Sequence, residues 1–322
     1  MLKDTLEIIL ITYNRKPFLQ NTFKQLLAET SPVKDLDITV LDNCSTDGTS
    51  EYLKELCSKH PNIKHIRHNR NIGGNANIAR AFESVTKPYF WILSDDDQYD
   101  FSAWDQVESA IKDNADLIVV NTEEIRGQTD ILKGLRRLTF LPANIFKSSV
   151  LDDKTMRNIY DNVPNWFPHF AAICAVINKN GKIKIIPQDI VIQDNRNTNG
   201  YSAHRSGKNI YPRQANLFFD VGYLNSLELI NDPAKRAKAV DNFAYGNSFF
   251  KSAKNTFKCN RIEHNNYLRN IQGPKAVFNT RQRFLFNAAM LFNDICYFLK
   301  YPKYYLRRKR NAKKTSAETV GK

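Results

Sequence analysis

The sequence predicts an α/β fold, in which a mostly parallel sheet is flanked by helices and followed by a helical C-terminal extension. In the first hundred residues, short runs rich in Ile, Leu, Val and Phe alternate with longer segments of helical apolar spacing. Strands separated by helices of this length indicate a parallel, doubly wound sheet. The chain has 322 residues, 42% of them hydrophobic, which is enough to bury a sizeable core.

Turn residues divide the first hundred residues into seven elements. Pro17 suits the first turn of a helix, the polar cluster 43–48 caps a second, and Gly73 with Gly74 precedes a third. We predict strands over residues 6–11, 36–41, 63–66 and 89–93, with helices over 17–28, through Leu53 and Leu56, and up to Phe82.

The pattern beyond residue 100 is weaker. It predicts a strand over residues 117–120, a helix over 167–177, a strand over 183–186 and a polar loop over 195–207. From about Tyr223 onward the apolar spacing is helical. We therefore predict two regions, residues 1–222 and residues 223–322.

The charge of the chain limits the class of partner that it suits, and its cysteine content indicates the redox state of its compartment. The chain carries 47 Lys and Arg against 33 Asp and Glu, so its formal net charge is +14. Such an excess indicates nucleic acid, an anionic lipid surface or a phosphorylated substrate. Much of it lies in the C-terminal tail beside apolar residues, so we expect no nucleic-acid partner. Five widely spaced cysteines without a Cys-x-x-Cys pair indicate a reducing compartment.

The C-terminal region predicts contact with a membrane surface. Residues 284–299 are densely apolar, and a cationic cluster follows them. This combination is typical of a helix that lies in the plane of an anionic membrane. The alternative is a helix packed on the rest of the chain or across a homodimer. No apolar run reaches the roughly 20 residues that span a bilayer, and residues 8–11 are too short for the core of a signal peptide.

Polar clusters follow three of the predicted strands, at residues 12–15, 42–43 and 95–97. A parallel sheet brings such strand ends to one edge, where ligands bind. The three adjacent carboxylates Asp95, Asp96 and Asp97 repel one another unless a cation compensates them. Mg²⁺ and Mn²⁺ take oxygen ligands and usually bind substrate phosphates as well. The alternative is a solvated acidic turn that caps a helix beginning near Phe101.

Two further features indicate a nucleotide ligand. Asp42 can accept from a base N–H or a ribose hydroxyl, and Tyr13 can stack on a base; the alternatives are helix capping and core packing. The loop over residues 69–75 precedes a helix, whose N-terminus suits phosphate, and Arg70 adds a possible charge-assisted contact. Its alternative is an ordinary strand-to-helix turn.

Four segments together resemble glycosyltransferase family 2, which has the GT-A fold: residues 9–15, 40–49, 71–74 and 93–97. The resemblance implies a Rossmann-like sheet and an inverting transfer from a nucleoside-diphosphate sugar, often a UDP-sugar, with Mn²⁺ or Mg²⁺. It implies a catalytic domain over 1–222, with a nucleotide-binding half (1–100) and an acceptor half (101–222). The implied donor contacts are Thr12, Tyr13, Asn14, Arg15, Asp42, Asn71, Gly73, Asp95 and Asp96, and the implied metal ligands are Asp97, Asp95 and His204.

The chain departs from the family at the base that deprotonates the acceptor hydroxyl. Many members carry a Glu-Asp pair at the start of a helix, where residues 166–170 here read Trp-Phe-Pro-His-Phe. His169 is a candidate base, because a histidine near its unperturbed pKa can accept the proton. Alternatively it orients substrate or packs. Asp161, Asp189 and Asp194 are substitute bases.

The resemblance implies sugar transfer to a glycan or lipid-linked glycan in cell-surface polysaccharide synthesis, as by bacterial capsule and O-antigen transferases. The location expected for this activity is cytoplasmic, peripherally on the inner face of the plasma membrane. Two alternatives stay open. A sugar nucleotidyltransferase needs a glycine-rich loop after the first strand, and residues 12–17 contain no glycine. A non-catalytic carbohydrate- or nucleotide-binding relative is consistent with the missing acidic pair.

Overall fold

The computed structural model describes residues 2–121, 130–193, 212–243, 248–257 and 276–300. The chain divides into two compact units, residues 1–208 with 229–232, and residues 209–228 with 233–322. The first unit contains the sheet and the second is helical. Asp194 and His204, both predicted site residues, lie outside the described residues.

Seven strands of the first unit form one sheet. In chain order they are β1 (Leu6–Thr12), β2 (Asp37–Asp42), β3 (Ile63–Arg67), β4 (Tyr89–Leu93), β6 (Leu117–Val119), β7 (Asn144–Lys147) and β8 (Ile183–Ile185), and β5 (Gln98–Tyr99) and β9 (Val191–Ile192) form a separate ribbon. The order in the sheet is β3-β2-β1-β4-β7-β6-β8. Only β7 runs antiparallel to its neighbours among these pairings. The predicted mostly parallel α/β fold is confirmed.

Helices of the first unit flank this sheet. They are α1 (Leu2–Thr5), α2 (Lys16–Leu26), α3 (Thr49–Lys59), α4 (Gly74–Glu83), α5 (Trp104–Lys112), α6 (Ile131–Gly134), α7 (Asp153–Asp161) and α8 (Phe170–Asn178). In α2, Pro17 occupies the first turn, and Leu19, Phe23 and Leu26 are buried at helical spacing.

Helix α8 begins three residues later than predicted. Pro168 disfavours helical backbone at the residue before it, and Trp166 has a positive φ of 73°. The 3₁₀ turn Val163–Asn165 leads into this segment instead. The chain therefore becomes α-helical only at Phe170.

The core is centred on β4, all five residues of which are buried. The ring of Phe90 stacks on Phe146 of β7 at 5.5 Å, and the indole N–H of Trp91 donates to the carbonyl of Pro142 at 2.7 Å. The sequence analysis did not predict β7. It has only four residues, and 3₁₀ turns precede and follow it, so no alternating pattern develops.

The register of the parallel strands places their carboxyl ends together. Thr12, the last residue of β1, lies opposite Asp42, the last residue of β2. Leu10 of β1 lies opposite Leu93 of β4, so the residues after Leu93 reach the level of Thr12. The polar clusters predicted at these strand ends therefore meet at one edge of the sheet.

The second unit contains α9 (Pro212–Ser226), α10 (Pro233–Asp241), α11 (Phe249–Thr256) and α12 (Thr280–Lys300). The helical pattern expected from about Tyr223 thus begins earlier, at Pro212. The region boundary predicted after residue 222 falls inside α9, and the functional division of the chain stays a prediction. Within the described residues, we find no helix with the length and apolar character needed to cross a bilayer.

Candidate active site

The three aspartates after β4 form a carboxylate turn, residues 95–97. Thr12 donates its hydroxyl to Asp95 Oδ2 at 2.6 Å, which joins the ends of β1 and β4. Arg15 Nε forms an ion pair with Asp95 Oδ1 at 2.9 Å, and Arg15 Nη2 binds Asp96. Asp95 and Asp97 are both almost completely buried. The structure therefore brings together Thr12, Arg15 and the aspartates.

The carboxylate turn places three carboxyl groups beside one paired guanidinium, that of Arg15. Burial raises the pKa of Asp95 to about 7, although Arg15 and the hydrogen bond from Thr12 act in the opposite direction and Asp96 adds to the rise. Burial, followed by the fields of Asp97, Asp96 and Asp95, also raises the pKa of Tyr99 well above its ordinary value. An additional cation at this turn would be electrostatically favourable.

Helix α2 holds the backbone of the carboxylate turn. Thr22 donates its hydroxyl to the carbonyl of Asp95 at 2.9 Å, and Gln25 Nε2 donates to the carbonyl of Asp97 at 3.2 Å. Gln25 Oε1 in turn accepts from the Tyr99 N–H at 3.1 Å. The sequence analysis missed Thr22 and Gln25. The available signal was Thr22, a polar residue on the buried face of an amphipathic helix.

Asp42 is completely buried and its carboxylate organises the turn after β2. Its Oδ1 accepts from the Ser45 N–H at 2.8 Å, and its Oδ2 accepts from the Ser50 hydroxyl at 2.5 Å. Burial alone would raise the pKa of Asp42, but the His65 ring, whose Nε2 lies 3.5 Å from Oδ2, and the hydrogen bonds from Ser45 and Ser50 outweigh it and hold the pKa well below its usual range. Asp42 therefore does not cap α3, whose N-cap is Gly48, and contact with a nucleoside stays a prediction.

Asn14 fastens the loop after β1 to the loop after β2. Its backbone has a positive φ of 51°, which asparagine tolerates better than most residues. The Asn14 N–H donates to Ser45 Oγ at 2.9 Å, and Asn14 Oδ1 accepts from the Thr46 N–H at 2.7 Å. Tyr13, next to it, is half-buried, and its stacking on a base stays a prediction.

Asn43 fixes the loop that precedes α4. Its Nδ2 donates to Asn71 Oδ1 at 3.0 Å, and its Oδ1 accepts from the Ile72 N–H at 3.0 Å. Asn71 Oδ1 also accepts from the Gly73 N–H at 2.8 Å. Residues 71–74 are exposed, so the start of α4 is accessible to solvent beside the turn after Asp42. An exposed helix start of this kind suits phosphate.

His169 lies in the interior rather than on an open surface. Its side chain is 2% exposed, Nε2 lies 3.2 Å from the carbonyl of Leu138, and the ring meets Phe167 edge-on. Burial lowers the pKa of His169 to about 4, with the carbonyls of Leu138 and Thr139 partly offsetting the shift. This placement favours the packing alternative, and a role as base stays a prediction.

The two described aspartates predicted as substitutes for His169 as the base lie in different parts of the first unit. Asp161 is exposed at the end of α7, and Asp189 is half-buried before β9. The ribbon pairs Ile192 of β9 with Gln98 of β5, which directly follows Asp97. Gln193, the residue before Asp194 in the sequence, directly follows β9, which pairs with the segment after the carboxylate turn.

The carboxylates fit a metal ion that is shared with a substrate. In residues 2–121, 130–193 and the described helical segments, no group of three or more His, Cys, Asp or Glu side chains converges on a possible metal position. Mg²⁺ and Mn²⁺ commonly bind through one or two carboxylates and complete their shell with phosphate oxygens and water. Asp95 and Asp97 match that donor set better than a closed protein cage.

Two curated relatives match part of the chain. Abequosyltransferase RfbV of Salmonella typhimurium is 26% identical over 115 residues, which are 35% of this chain and 34% of the relative. Dolichol-phosphate mannosyltransferase of Pyrococcus furiosus is 28% identical over 120 residues, 37% of this chain and 33% of the relative. The chain thus aligns with about a third of the length of each.

Solved structures share the fold over most of the chain. S. aureus TarS 1-349 in complex with UDP has a TM-score of 0.61 and 14% identity, covering 94% of this chain and 93% of that one. The same protein in complex with UDP-GlcNAc gives a TM-score of 0.58 at 13% identity, with the same coverage. The model of Glycosyl transferase family 2 matches residues 7–181, more than half of the chain, and includes every strand of the main sheet up to the start of β8. The chain therefore belongs to glycosyl transferase family 2.

Proposed function

We propose that this protein is an inverting glycosyltransferase, which moves a sugar from a nucleoside-diphosphate sugar to an acceptor hydroxyl. The observation that carries the proposal is the bonding of Thr12 and Arg15 to the carboxylate turn, which builds one polar site from the ends of β1 and β4. Ligands of parallel sheets bind at this edge. Membership of the family supports the reaction class.

The proposed donor is a UDP-sugar. The TarS structures, whose fold this chain shares, contain UDP and UDP-GlcNAc. Tyr13 stacks on the base, and the exposed loop of Asn71 and Gly73, at the start of α4, faces the diphosphate. Thr12, Asn14 and Asp42 act mainly by fixing the loops that present these groups, since their polar atoms already bond within the protein. Arg15 keeps Asp95 and Asp96 in place for the sugar.

Asp97 and Asp95 are the proposed ligands of Mn²⁺ or Mg²⁺, with His204 as a third candidate. When bound, the cation neutralises the charge that develops on the departing diphosphate. Helix α2 positions both carboxylates through the bonds that Thr22 and Gln25 make to the turn.

The proposed chemistry is a single displacement. A base takes the proton of the acceptor hydroxyl, and the acceptor oxygen attacks the anomeric carbon from the face opposite the diphosphate. The bond from that carbon to the diphosphate oxygen breaks, and the nucleoside diphosphate leaves with the electron pair. We propose Asp194 as the base, because its neighbour Gln193 follows a strand that pairs beside the carboxylate turn. His169, which is buried, packs the acceptor half.

The proposed acceptor is a glycan or lipid-linked glycan of a cell-surface polysaccharide. The names of the two curated relatives support this: one transfers abequose, and the other acts on dolichol phosphate, a lipid carrier. A lipid-linked acceptor requires access to a membrane, and the basic C-terminal tail suits an anionic one. We therefore propose a peripheral location on the cytoplasmic face of the plasma membrane.

Donor turnover tests the reaction. The protein, with Mn²⁺ or Mg²⁺, is incubated with UDP-, GDP- and dTDP-sugars, and release of nucleoside diphosphate is followed. We expect metal-dependent release from one donor, and a loss of at least about 100-fold in Asp97→Asn. Asp100→Asn is the matched control, because Asp100 is exposed on the same segment. Thermal unfolding and metal-free nucleotide binding establish that the Asp97 variant folds.

Two outcomes would contradict parts of the proposal. Unchanged, still metal-dependent turnover in Asp97→Asn would remove Asp97 as a metal ligand. Nucleotide binding without turnover of any donor, even with lipid-linked acceptors added, would favour a second candidate function, a non-catalytic nucleotide-binding relative. The burial of His169, at the place where many relatives carry an acid, is the observation that supports this second candidate.

A further inference from the structure

Helix α12 has apolar residues on two opposite sides. One side is already packed: Phe286 meets the rings of Phe257 and Phe278 at 5.0 and 5.3 Å, and Asn293 Nδ2 donates to the carbonyl of Lys254 at 2.9 Å. The buried positions recur every three or four residues, as expected for one helix face. They are Gln282, Phe286, Ala289, Met290 and Asn293.

The opposite side exposes large apolar side chains, which we call the outer stripe. At about 100° per residue, all of its members lie on the half of the helix that faces away from Phe286. Their exposed fractions run from 40% to 74%, and they make up six of the nine exposed large hydrophobic residues in the described part of the chain. The outer stripe consists of Phe284, Leu291, Phe292, Ile295, Phe298 and Leu299; Phe292, at its edge, also meets the ring of Phe250 and the ammonium group of Lys254.

Charge is distributed unevenly along this segment. From residue 284 to residue 299 the only charged residue in the sequence is Asp294, which is half-buried beside Asn293. The sequence after α12, residues 301–322, holds eight Lys and Arg and a single Glu. An uncharged apolar stripe is thus followed directly by a polycationic segment.

We propose that the outer stripe inserts into the surface of an anionic bilayer, with α12 lying in the membrane plane. The inference rests on the proposed membrane location and names the surface responsible for it. From Phe284 to Leu299 the stripe is about 22 Å long at 1.5 Å per residue, so it can contact lipid along its whole length while the opposite side stays packed on the protein. The cationic sequence that follows supplies the attraction to anionic headgroups.

A second copy of the chain is the competing occupant, because Phe284, Leu291 and Phe298 are spaced by seven residues as in a coiled coil. Charge argues against it. Parallel pairing of two α12 helices would bring two polycationic segments together, and no acidic run in residues 280–322 is available to compensate them. An anionic lipid surface buries the apolar side chains of the outer stripe and neutralises the cationic segment that follows it.

The test uses full-length protein and vesicles of phosphatidylglycerol and phosphatidylcholine in equal parts. Wild type is expected to cosediment with the vesicles, and Leu291→Glu and Ile295→Glu to reduce the partition coefficient at least about tenfold. Asn287→Glu adds the same charge at an exposed position that is already polar, and is expected to stay within about twofold of wild type. Circular dichroism checks that each variant is folded.

A second readout keeps the test independent of glutamate substitutions. Ile295→Trp preserves an apolar side chain and is expected to add vesicle-dependent, blue-shifted fluorescence to the wild-type emission.

If the glutamate variants bind like wild type and only a chain ending at Lys300 loses binding, the tail acts alone: the outer stripe inference fails and the membrane location stands. If wild type ignores vesicles but forms dimers that Leu291→Glu dissociates, both fail, while donor turnover is untouched.

Discussion

Arg15 is the single side chain that most affects the charge of the proposed site. Its guanidinium reaches Asp95 and Asp96 while lying 4.5 Å from the ring centre of Phe18, which restricts its position. Replacement by lysine would keep one charge and lose the two-armed contact. The identity of residue 15, and not its charge alone, therefore determines how the carboxylate turn is held.

The buried imidazole of His169 should make a pH-dependent contribution to the stability of the protein. Its pKa is lowered from 6.5 to about 4 in the folded protein, so the unfolded chain binds more protons between these values. The contribution of His169 to the free energy of unfolding should therefore fall by about 2 kcal/mol between pH 7 and pH 5, whereas the raised pKa of Asp95 contributes in the opposite direction. Urea unfolding of both proteins at the two pH values isolates His169: the change in the free energy of unfolding from pH 7 to pH 5 should be about 2 kcal/mol more positive in His169→Gln than in wild type.

The control for this prediction is His60→Gln, which removes a more exposed histidine. It should retain the pH dependence of wild type. Equal pH dependence in wild type and His169→Gln would show that His169 does not titrate in this range.

Site residues at strand ends could be predicted, whereas those that act from a helix could not. Thr12, Asp42 and Asp95 follow runs of buried residues, so the ends of the runs locate them. Thr22 contributes through one hydroxyl to a carbonyl 73 residues away, and no local pattern marks such a contact. The burial of His169 likewise depends on the segment near Leu138, which is remote in sequence.

Among the elements, α4 depends on the backbone of the residue before it. Gly73 has φ 86° and ψ 152°, a conformation essentially restricted to glycine. We predict that Gly73→Ala costs on the order of 1–3 kcal/mol of stability and weakens nucleotide binding, since it displaces the loop that Asn43 holds. Thermal unfolding and calorimetric titration with UDP measure the two effects.

Gly74→Ala is the matched control. Gly74 is the first residue of α4, a Cβ there would meet no atom within 4 Å, and alanine favours helix. It should leave stability unchanged or slightly higher. Equal losses in both variants would mean that the backbone conformation of Gly73 does not determine the cost of the substitution.

The four main-sheet strands of the first hundred residues were predictable to within one or two residues, because apolar runs ended in clear turn residues; the two-residue strand β5 was not predicted. Strand β7 is different: it pairs antiparallel with β4 and β6, and its place comes from Phe146 packing on Phe90, a tertiary contact. The start of α8 moved because Pro168 opposes helix at the residue before it.

For the whole molecule, the distribution of charge gives a further prediction. A chain ending at Lys300 loses eight basic residues and one acidic residue, which is half of the net charge of +14. With each basic residue contributing about 1 kcal/mol near an anionic surface, its vesicle binding should be much weaker and less sensitive to salt. Cosedimentation at increasing NaCl measures this, and donor turnover in solution should not change. Binding that is indifferent to both salt and truncation would contradict it.

The residue at which the chain is truncated determines whether the vesicle experiment measures charge alone. A chain ending near Gly273 would also lack Phe278 and α12, and Phe257, which is fully buried, would lose its packing partner Phe286. Loss of membrane binding in that shorter chain would not separate charge from misfolding. Truncation after Lys300 leaves the packed side of α12 intact.

The order of strands in the sheet also has a consequence for synthesis on the ribosome. All the bonds described for the carboxylate turn join residues between Thr12 and Tyr99, so the nascent chain holds the complete network after about a third of its length. At that point β4 has β1 on one side, while its other neighbour, β7, begins only at Asn144. Until then β4, whose five residues are all buried in the completed fold, has an open edge, which favours pairing with other nascent chains. Chaperone capture of the growing chain should therefore be strongest in that interval.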